Sequence, residues 1–272
     1  MIGLKRGTVK LLSHDEEWEL EAKRTIIRLQ KVLGAVAKDI QHVGSTSIQT
    51  IKAKPIIDIA VMVDNFRDIL ELEEELRNEG FYNRPIDLKD QLLLASGSYY
   101  EGTGDLQTHF IHVVLTDSIE WKNYINFRDY LKMKPIVAKA YEDLKISLEE
   151  AAPEDKGREQ YTRGKNDFIT YTLRKALVSC YLGKTVDIKI DRPIGSSHPK
   201  YAELVYPVNY GYIPGVLCGD GEELDVYLLG VDKPVKEYKA RVIGIVHRHN
   251  DNEDKLVAAP EGKHFTLMEI AE

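Results

Sequence analysis

Apolar residues recur at helical spacing in the opening stretch HDEEWELEAKRTIIRLQKVLG, where Trp18, Ala22, Ile26 and Leu29 share a face and Gly34 supplies a stop. The next segment changes period. KDIQHV reads as a short strand, GSTSIQTIKAK as a polar loop, and PIIDIAVMV, a β-branched run between Pro55 and Asp64, as a buried strand. NFRDILELEEELRNEG predicts one helix from an Asn65 cap to Gly80. QLLLASGSYY and QTHFIHVVLT predict two further strands. DSIEWKNYINFRDYLKMK predicts a helix capped by Asp117 or Ser118, Pro135 opens another, and GREQYTRGKNDFITYTLRKAL predicts a last long helix.

The texture changes near residue 177. From VSCYLGKTVDIKIDRP onward, short strand-like runs are broken by Pro, Gly and Asp, and nothing helical returns until TLMEIAE. An α/β half followed by an all-β half predicts an α+β chain of two domains, residues 1–178 and 179–272. Composition adds limits to this picture. With 272 residues, 43% hydrophobic and 30% charged, the chain is of ordinary globular type, and its net charge of −7 argues against a general basic surface for nucleic acid. Cys180 and Cys218 lack metal-like spacing and fit a reducing, cytoplasmic setting. No apolar run approaches the roughly 20 residues of a membrane span, and the N-terminus has no apolar core of signal-peptide length.

Two constellations carry chemistry. In HVGSTSIQTIKAKPIIDIAVMV, one strand delivers Gly44 and Ser45 and the next presents Asp58. Glycine permits close backbone approach and a serine hydroxyl suits a phosphate, while Asp58 suits Mg²⁺ against the same phosphates and Lys54 offsets charge. The structural alternative is an ordinary Gly-Ser turn and a carboxylate satisfying backbone. Gly-Ser followed by Asp resembles the nucleotidyltransferase signature, and HVGSTS…AKPIIDI with THFIHVV and FRDYL resembles the GrpB family over most of residues 8 to 175. That resemblance implies a nucleotidyltransferase-like fold. It also implies a second acidic residue two positions after Asp58, where this chain has Ala60. His42, His109 and His112 are candidates to complete a metal set, although His109 and His112, three apart on a strand, face opposite sides.

The second constellation is YPVNYGYIPGVLCGDGEELDVYLLG. Asp220, Glu222 and Asp225 crowd a turn leading into a strand, and like charges at this range call for divalent cations. Tyr206 and Tyr210 are neutral donors for phosphate oxygens, and HNDNEDKLVAAP adds Asp251, Glu253, Asp254 and Lys255. Two acidic turns flanking a cleft suit Mg²⁺ ions around pyrophosphate, with Glu222 able to take a proton from water. The stretch resembles family I soluble inorganic pyrophosphatase from about Gly183 to Gly262. This implies an OB-like five-stranded barrel, Asp220, Asp225, Asp251 and Asp254 as metal ligands, and Tyr210 and Lys255 as phosphate contacts.

Three departures accompany that resemblance. Glu222 stands for the middle Asp of the pattern; HPKYAELVYP offers only His198 and Lys200 where the family has an arginine; and the chain ends at FTLMEIAE, before the helix that bears a late Tyr-Lys pair in the family. The sequence therefore predicts a Mg²⁺-dependent phosphohydrolase acting on pyrophosphate, joined to a nucleotidyltransferase-like domain whose substrate the sequence does not name; the partner expected for the chain is a small phosphate-containing compound, pyrophosphate or a nucleotide. The alternatives are a non-catalytic phosphate-binding protein, or an interaction protein working through the acidic stretch DILELEEELRNE, which reads more simply as a solvated helix face. Oligomeric state is left open.

Overall fold

After a two-residue strand, β1 (Leu4–Lys5), Asp15 opens the first helix as a cap, its carboxylate accepting the Glu17 amide at 3.0 Å. In the computed structural model this helix, α1, runs Glu16–Leu33 and stops at Gly34, as the spacing predicts. Residues 1–85, 90–153, 157–199, 201, 203–218, 222–247 and 254–271 are described by the structure. They divide into two units, Met1–Thr170 and Tyr171–Glu272.

The first unit is built on a five-stranded sheet. Its strands are β2 (Ala37–Val43), β3 (Ile57–Val63), β4 (Tyr82–Asn83), β5 (Gln91–Ser96) and β7 (His109–Leu115), in the order β2-β3-β7-β5-β4. Only β3 and β7 are parallel. A small strand, β6 (Leu106–Gln107), pairs with β1. Alternation along β3 turns Ile57, Ile59, Val61 and Val63 toward the buried stripe of α1, where Trp18, Ala22, Leu29 and Leu33 complete one core. Each such side chain removed from water contributes about 1.5–3 kcal/mol. A second apolar cluster joins Ile48 and Ile51 to α5 (Ile119–Met133) and α6 (Pro135–Glu150) through Leu131, Ala138 and Tyr141. Ser118 is the cap of α5, accepting the Trp121 amide at 3.2 Å, and Pro135 is the first residue of α6.

Two helices expected to be continuous are broken. The acidic segment forms α2 (Arg67–Glu71) and α3 (Glu73–Asn78), because the Leu72 amide reaches back to Ile69 at 3.2 Å and tightens the turn, leaving Ile69 and Leu76 both buried. Asn65 still caps this segment, accepting the Asp68 amide at 3.0 Å. The expected strand through SYY ends at Ser96, and Ser98–Glu101 is a one-turn helix, α4. The final helix is split into α7 (Gly157–Gly164) and α8 (Asn166–Ser179), with the poor helix former Gly164 packed on Leu148 just before the break.

The second unit is a closed barrel, as expected, of β8 (Thr185–Arg192), β9 (Asn209–Leu217), β10 (Glu223–Leu228), β11 (Glu237–Val246) and β12 (Lys255–Ala259), in the order β10-β12-β11-β8-β9. Leu224, Val226 and Leu228 alternate into its core with Val186, Ile188, Val242, Leu256 and Ala258. Closure leaves no sheet edge to protect. A terminal turn of helix, α9 (Leu267–Ala271), follows. Among the described residues no helix is long and apolar enough to cross a membrane.

Burial also sets a pH response in the first unit. His109 is 6% exposed, with Nε2 3.1 Å from the Thr25 hydroxyl and 3.5 Å from Glu21. Loss of solvent pushes its imidazole down to about 4, Glu21 and Asp58 opposing and Arg28 adding to the shift. Unfolded His109 takes up a proton near its ordinary value of 6.5, whereas the folded form resists until about 4, so its contribution is present above pH 6.5 and is lost as pH falls toward 4. His109→Gln should remove on the order of 2–3 kcal/mol of that acid sensitivity, read as the difference between urea denaturations of the two proteins at pH 7 and pH 4.5.

Candidate functional site

The conspicuous concavity is in the barrel. Alternation along β10 buries Leu224, Val226 and Leu228 and turns Asp225 and Tyr227 outward. They line a cavity of about 1250 Å³ together with Arg192, Tyr206, Tyr210 and Glu222. Lys255, the first residue of β12 and 6% exposed, donates from Nζ to Asp225 Oδ2 and lies 5.7 Å from the centre of the Tyr210 ring. Tyr210 is also hydrogen-bonded to Asp225, and burial, reinforced by that bond, holds its phenol well above the ordinary tyrosine range, so it stays a proton donor. Tyr206 stacks on Tyr210 at 5.7 Å, and Tyr210 meets Tyr227 at 4.9 Å.

An arginine also enters this cleft, although the stretch HPKYAELVYP offers only His198 and Lys200 where the family has one. Arg192, at the end of β8, sits 5.9 Å from the rings of both Tyr206 and Tyr210, and its Nε is buried without a hydrogen-bond partner among the described residues. Its signal in the sequence was the strand-ending DRP, outside the stretch next to Tyr-Pro where a cation was sought. The strand pairing of Arg192 with Tyr210 brings it there.

The remaining acidic candidates are distributed differently. Asp220 and Asp251 lie outside the described residues, as does Glu253. Asp254 is 6% exposed and does not line the cavity; its Oδ2 is 2.9 Å from Lys175 Nζ on α8 and 3.0 Å from His247 Nδ1. No group of three His, Cys, Asp or Glu side chains suited to a metal occurs among the described residues. Glu222 and Asp225 are hard oxygen donors in one cleft and fit a divalent cation in kind, with Asp225 carrying Lys255 as its present counter-charge.

Half of the tyrosine motif is architectural. Asn209 is fully buried, donating to Val231 O at 2.9 Å and Lys233 O at 3.0 Å and accepting the Ile194 amide at 3.1 Å. A Cβ on Gly211 would fall 1.9 Å from the Lys189 carbonyl oxygen, so β8 and β9 close only over glycine.

In the first unit the fold brings Gly44, Ser45 and Asp58 together. Gly44 has φ of 67°, and a Cβ there would lie 2.5 Å from Asp58 Oδ2: the carboxylate occupies the space that glycine leaves. Ser45 is hydrogen-bonded to Tyr141. His112 Nε2 is 3.3 Å from Asp58 Oδ1, and its Nδ1 is 2.9 Å from the Tyr124 hydroxyl. Ala60 is paired with His112 on this same sheet face, so an imidazole stands beside the position where a second carboxylate is missing. His109 is turned to α1, as its spacing from His112 requires. His42 bonds the Thr46 hydroxyl at 3.0 Å and is pushed down to about 4 by burial. Lys54 is half-buried, with Nζ 5.1 Å from the Tyr161 ring centre.

An α/β unit with a Gly-Ser turn against a strand carboxylate, and a five-stranded barrel with a tyrosine-lined acidic cleft, thus define two kinds of domain. The family model described as GrpB protein matches residues 8–175, and the chain belongs to the GrpB family. The model described as inorganic pyrophosphatase matches residues 183–271. The glutamate-rich protein GrpB of Alkalihalophilus pseudofirmus is 36% identical over 177 residues, covering 64% of this chain and 99% of that protein. The crystal structure of GrpB from Enterococcus faecalis superposes with a TM-score of 0.57 at 25% identity, covering 63% of this chain and 99% of that one. Soluble inorganic pyrophosphatase 3 of Arabidopsis thaliana is 40% identical over 92 residues, 30% of this chain and 39% of that protein. The barrel thus resembles inorganic pyrophosphatase over about two-fifths of that relative's length.

The division of the tyrosine motif is testable. Asn209→Ala removes three hydrogen bonds to backbone groups, one of them fully buried, and should lower stability by about 2–4 kcal/mol, whereas Tyr206→Phe should stay within about 0.5 kcal/mol, both by thermal denaturation.

Proposed function

We propose that the barrel hydrolyses pyrophosphate with the help of a divalent cation such as Mg²⁺, and that the first unit handles a second phosphate compound, a nucleotide in the reading its Gly44–Ser45 turn and Asp58 support. The observation that carries the first part is the cluster of Lys255, Asp225 and Tyr210 in a cleft that also holds Arg192 and Glu222.

Asp225 and Glu222 would hold the cation, with Asp220 and Asp251, which lie outside the described residues, as further donors; Asp254, paired with Lys175 and His247, would not. A bound divalent ion neutralises phosphate charge and lowers the pKa of water. The chain's own groups have distinct tasks. Lys255 and Arg192 offset the charge of the substrate, and Tyr206 and Tyr210 donate to its oxygens without adding charge. Water forms the new P–O bond as the bridging P–O bond breaks. Glu222 takes the proton of the water, and the departing phosphate leaves with the bond's electron pair, its charge offset by Lys255 and Arg192.

With Gly44 and Ser45 against the phosphates, Lys54 as charge compensation and Asp58 as cation ligand, the first unit supports nucleotidyl transfer. Such a transfer releases pyrophosphate, and its hydrolysis pulls the transfer forward. The two tasks are assigned to residues 1–178 and 179–272.

A second reading, phosphate binding without turnover, draws support from Asp254, which faces Lys175 and His247 instead of the cleft. Phosphate release from pyrophosphate in Mg²⁺ separates the two. Hydrolysis should be measurable in the native chain and fall about 10²–10³-fold in Asp225→Asn. Native protein that binds pyrophosphate but releases no phosphate would select the second reading.

A further inference from the structure

Four cations of the first unit converge where no structural ion pair needs them. Lys54 precedes β3, Lys145 lies on α6, Arg158 on α7, and Lys165 in the break between α7 and α8. Lys54 and Lys165 approach the same Tyr161 ring, their ammonium nitrogens 5.1 and 4.8 Å from its centre, and Tyr161 is 1% exposed. Lys145, also 1% exposed, lies 4.8 Å from the centre of the Tyr141 ring and donates to the Lys52 carbonyl. Arg158 donates to Gln107 and to the Thr8 carbonyl, yet its Nη2 is buried without a hydrogen-bond partner among the described residues.

Among the described residues, no carboxylate lies within ion-pair distance of any of the four. Asp58 is felt at longer range by Lys54, Arg158 and Lys165, and Glu142 by Lys145. Positive charges gathered out of water without a counter-ion oppose folding. The cost is visible in the lysines: burial, with the neighbouring cations adding to it, brings Lys54 down to about 7, and burial together with Lys165 does the same to Lys145. Hydrogen bonds to backbone account for Lys145 and part of Arg158; the ammonium groups of Lys54 and Lys165 make none among the described residues.

We propose that Lys54, Lys145, Arg158 and Lys165 form a binding site for a linear polyphosphate chain, free or carried by a nucleoside. A single carboxylate or phosphate would need fewer cations; a chain of phosphates presents several anionic groups in a row. The site adjoins the Gly44 turn through Tyr141, which is hydrogen-bonded to Ser45. The break between α7 and α8 acquires a purpose, since it places Lys165 on the Tyr161 ring beside Lys54. This extends the nucleotide reading of the first unit but requires no transfer reaction.

The test is calorimetric titration of the full chain with inorganic tripolyphosphate in EDTA, so that the protein's own cations must supply the counter-charge. Saturable binding is expected in the native protein, weakened at least about tenfold in Lys54→Met and in Lys165→Met and retained within about threefold in Lys165→Arg. Removing an unpaired buried cation should leave the melting temperature unchanged or raised, whereas a purely structural lysine would lower it. Undetectable binding, or equal binding in native protein and both Met variants, overturns the proposal. So does loss of binding that follows the melting temperature downward and extends to Lys165→Arg. A parallel titration with ATP identifies the bearer: tighter binding than tripolyphosphate points to a nucleotide, weaker to a free polyphosphate, and both support the site. Binding without any nucleotidyl transfer would leave this site standing and remove the transfer reading.

Discussion

Alternation of side chains along two strands is the constraint on which both units depend. In β3 the odd positions Ile57, Ile59, Val61 and Val63 are fully buried, which obliges Asp58 and Ala60 to face the other way. In β10, Leu224, Val226 and Leu228 fill the barrel, which obliges Asp225 and Tyr227 to face the cleft. A register slip of one residue would bury the carboxylate and expose the core in either strand, so the energy that fixes the fold also aims the chemistry. The neighbours of each carboxylate follow from pairing: His112 beside Ala60 and Asp58 through β7, and Tyr212, Tyr210 and Arg192 around Asp225 through β9 and β8.

The two units handle charge in opposite ways. Around the barrel cleft each described carboxylate with a buried setting has a cation against it: Lys255 for Asp225, and Lys175 with His247 for Asp254. At Lys54, Lys145, Arg158 and Lys165 in the first unit, cations gather with no carboxylate at ion-pair distance among the described residues, and Lys54 and Lys145 respond by giving up proton affinity. An acidic cleft is suited to a metal with its phosphate, and a basic one to phosphate alone. In the proposed reading, a net acidic chain holds anions at two places by different means.

Local pattern carried much of this. The spacing of Trp18, Ala22 and Leu29 gave α1, β-branched runs gave β3 and β7, and short runs between turn residues gave the barrel. Gly44, Ser45 and Asp58 were readable because one loop links them. What was not readable depends on distance in sequence. Lys145, Arg158 and Lys165 look like ordinary solvated helix charges until α6, α7 and the break before α8 bring them to Lys54. Arg192 reaches the tyrosines only through strand pairing. The break itself depends on Gly164 packing against Leu148, a contact that no periodicity encodes. Asn209 looked like part of a chemical motif, and its three hydrogen bonds show it holding the barrel's connections together.

In the proposed function, Asp225 exchanges its present partner Lys255 for a metal when pyrophosphate enters the barrel. Crystals of the full chain soaked with Mn²⁺ and imidodiphosphate, a diphosphate analogue that resists hydrolysis, would give the most direct answer through manganese anomalous scattering. The expected result is a manganese peak bonded to Asp225, with the analogue's phosphates against Tyr210, Arg192 and Lys255. A cleft holding the analogue without manganese, or one in which Asp225 remains paired with Lys255 and neither ligand is seen, would contradict it.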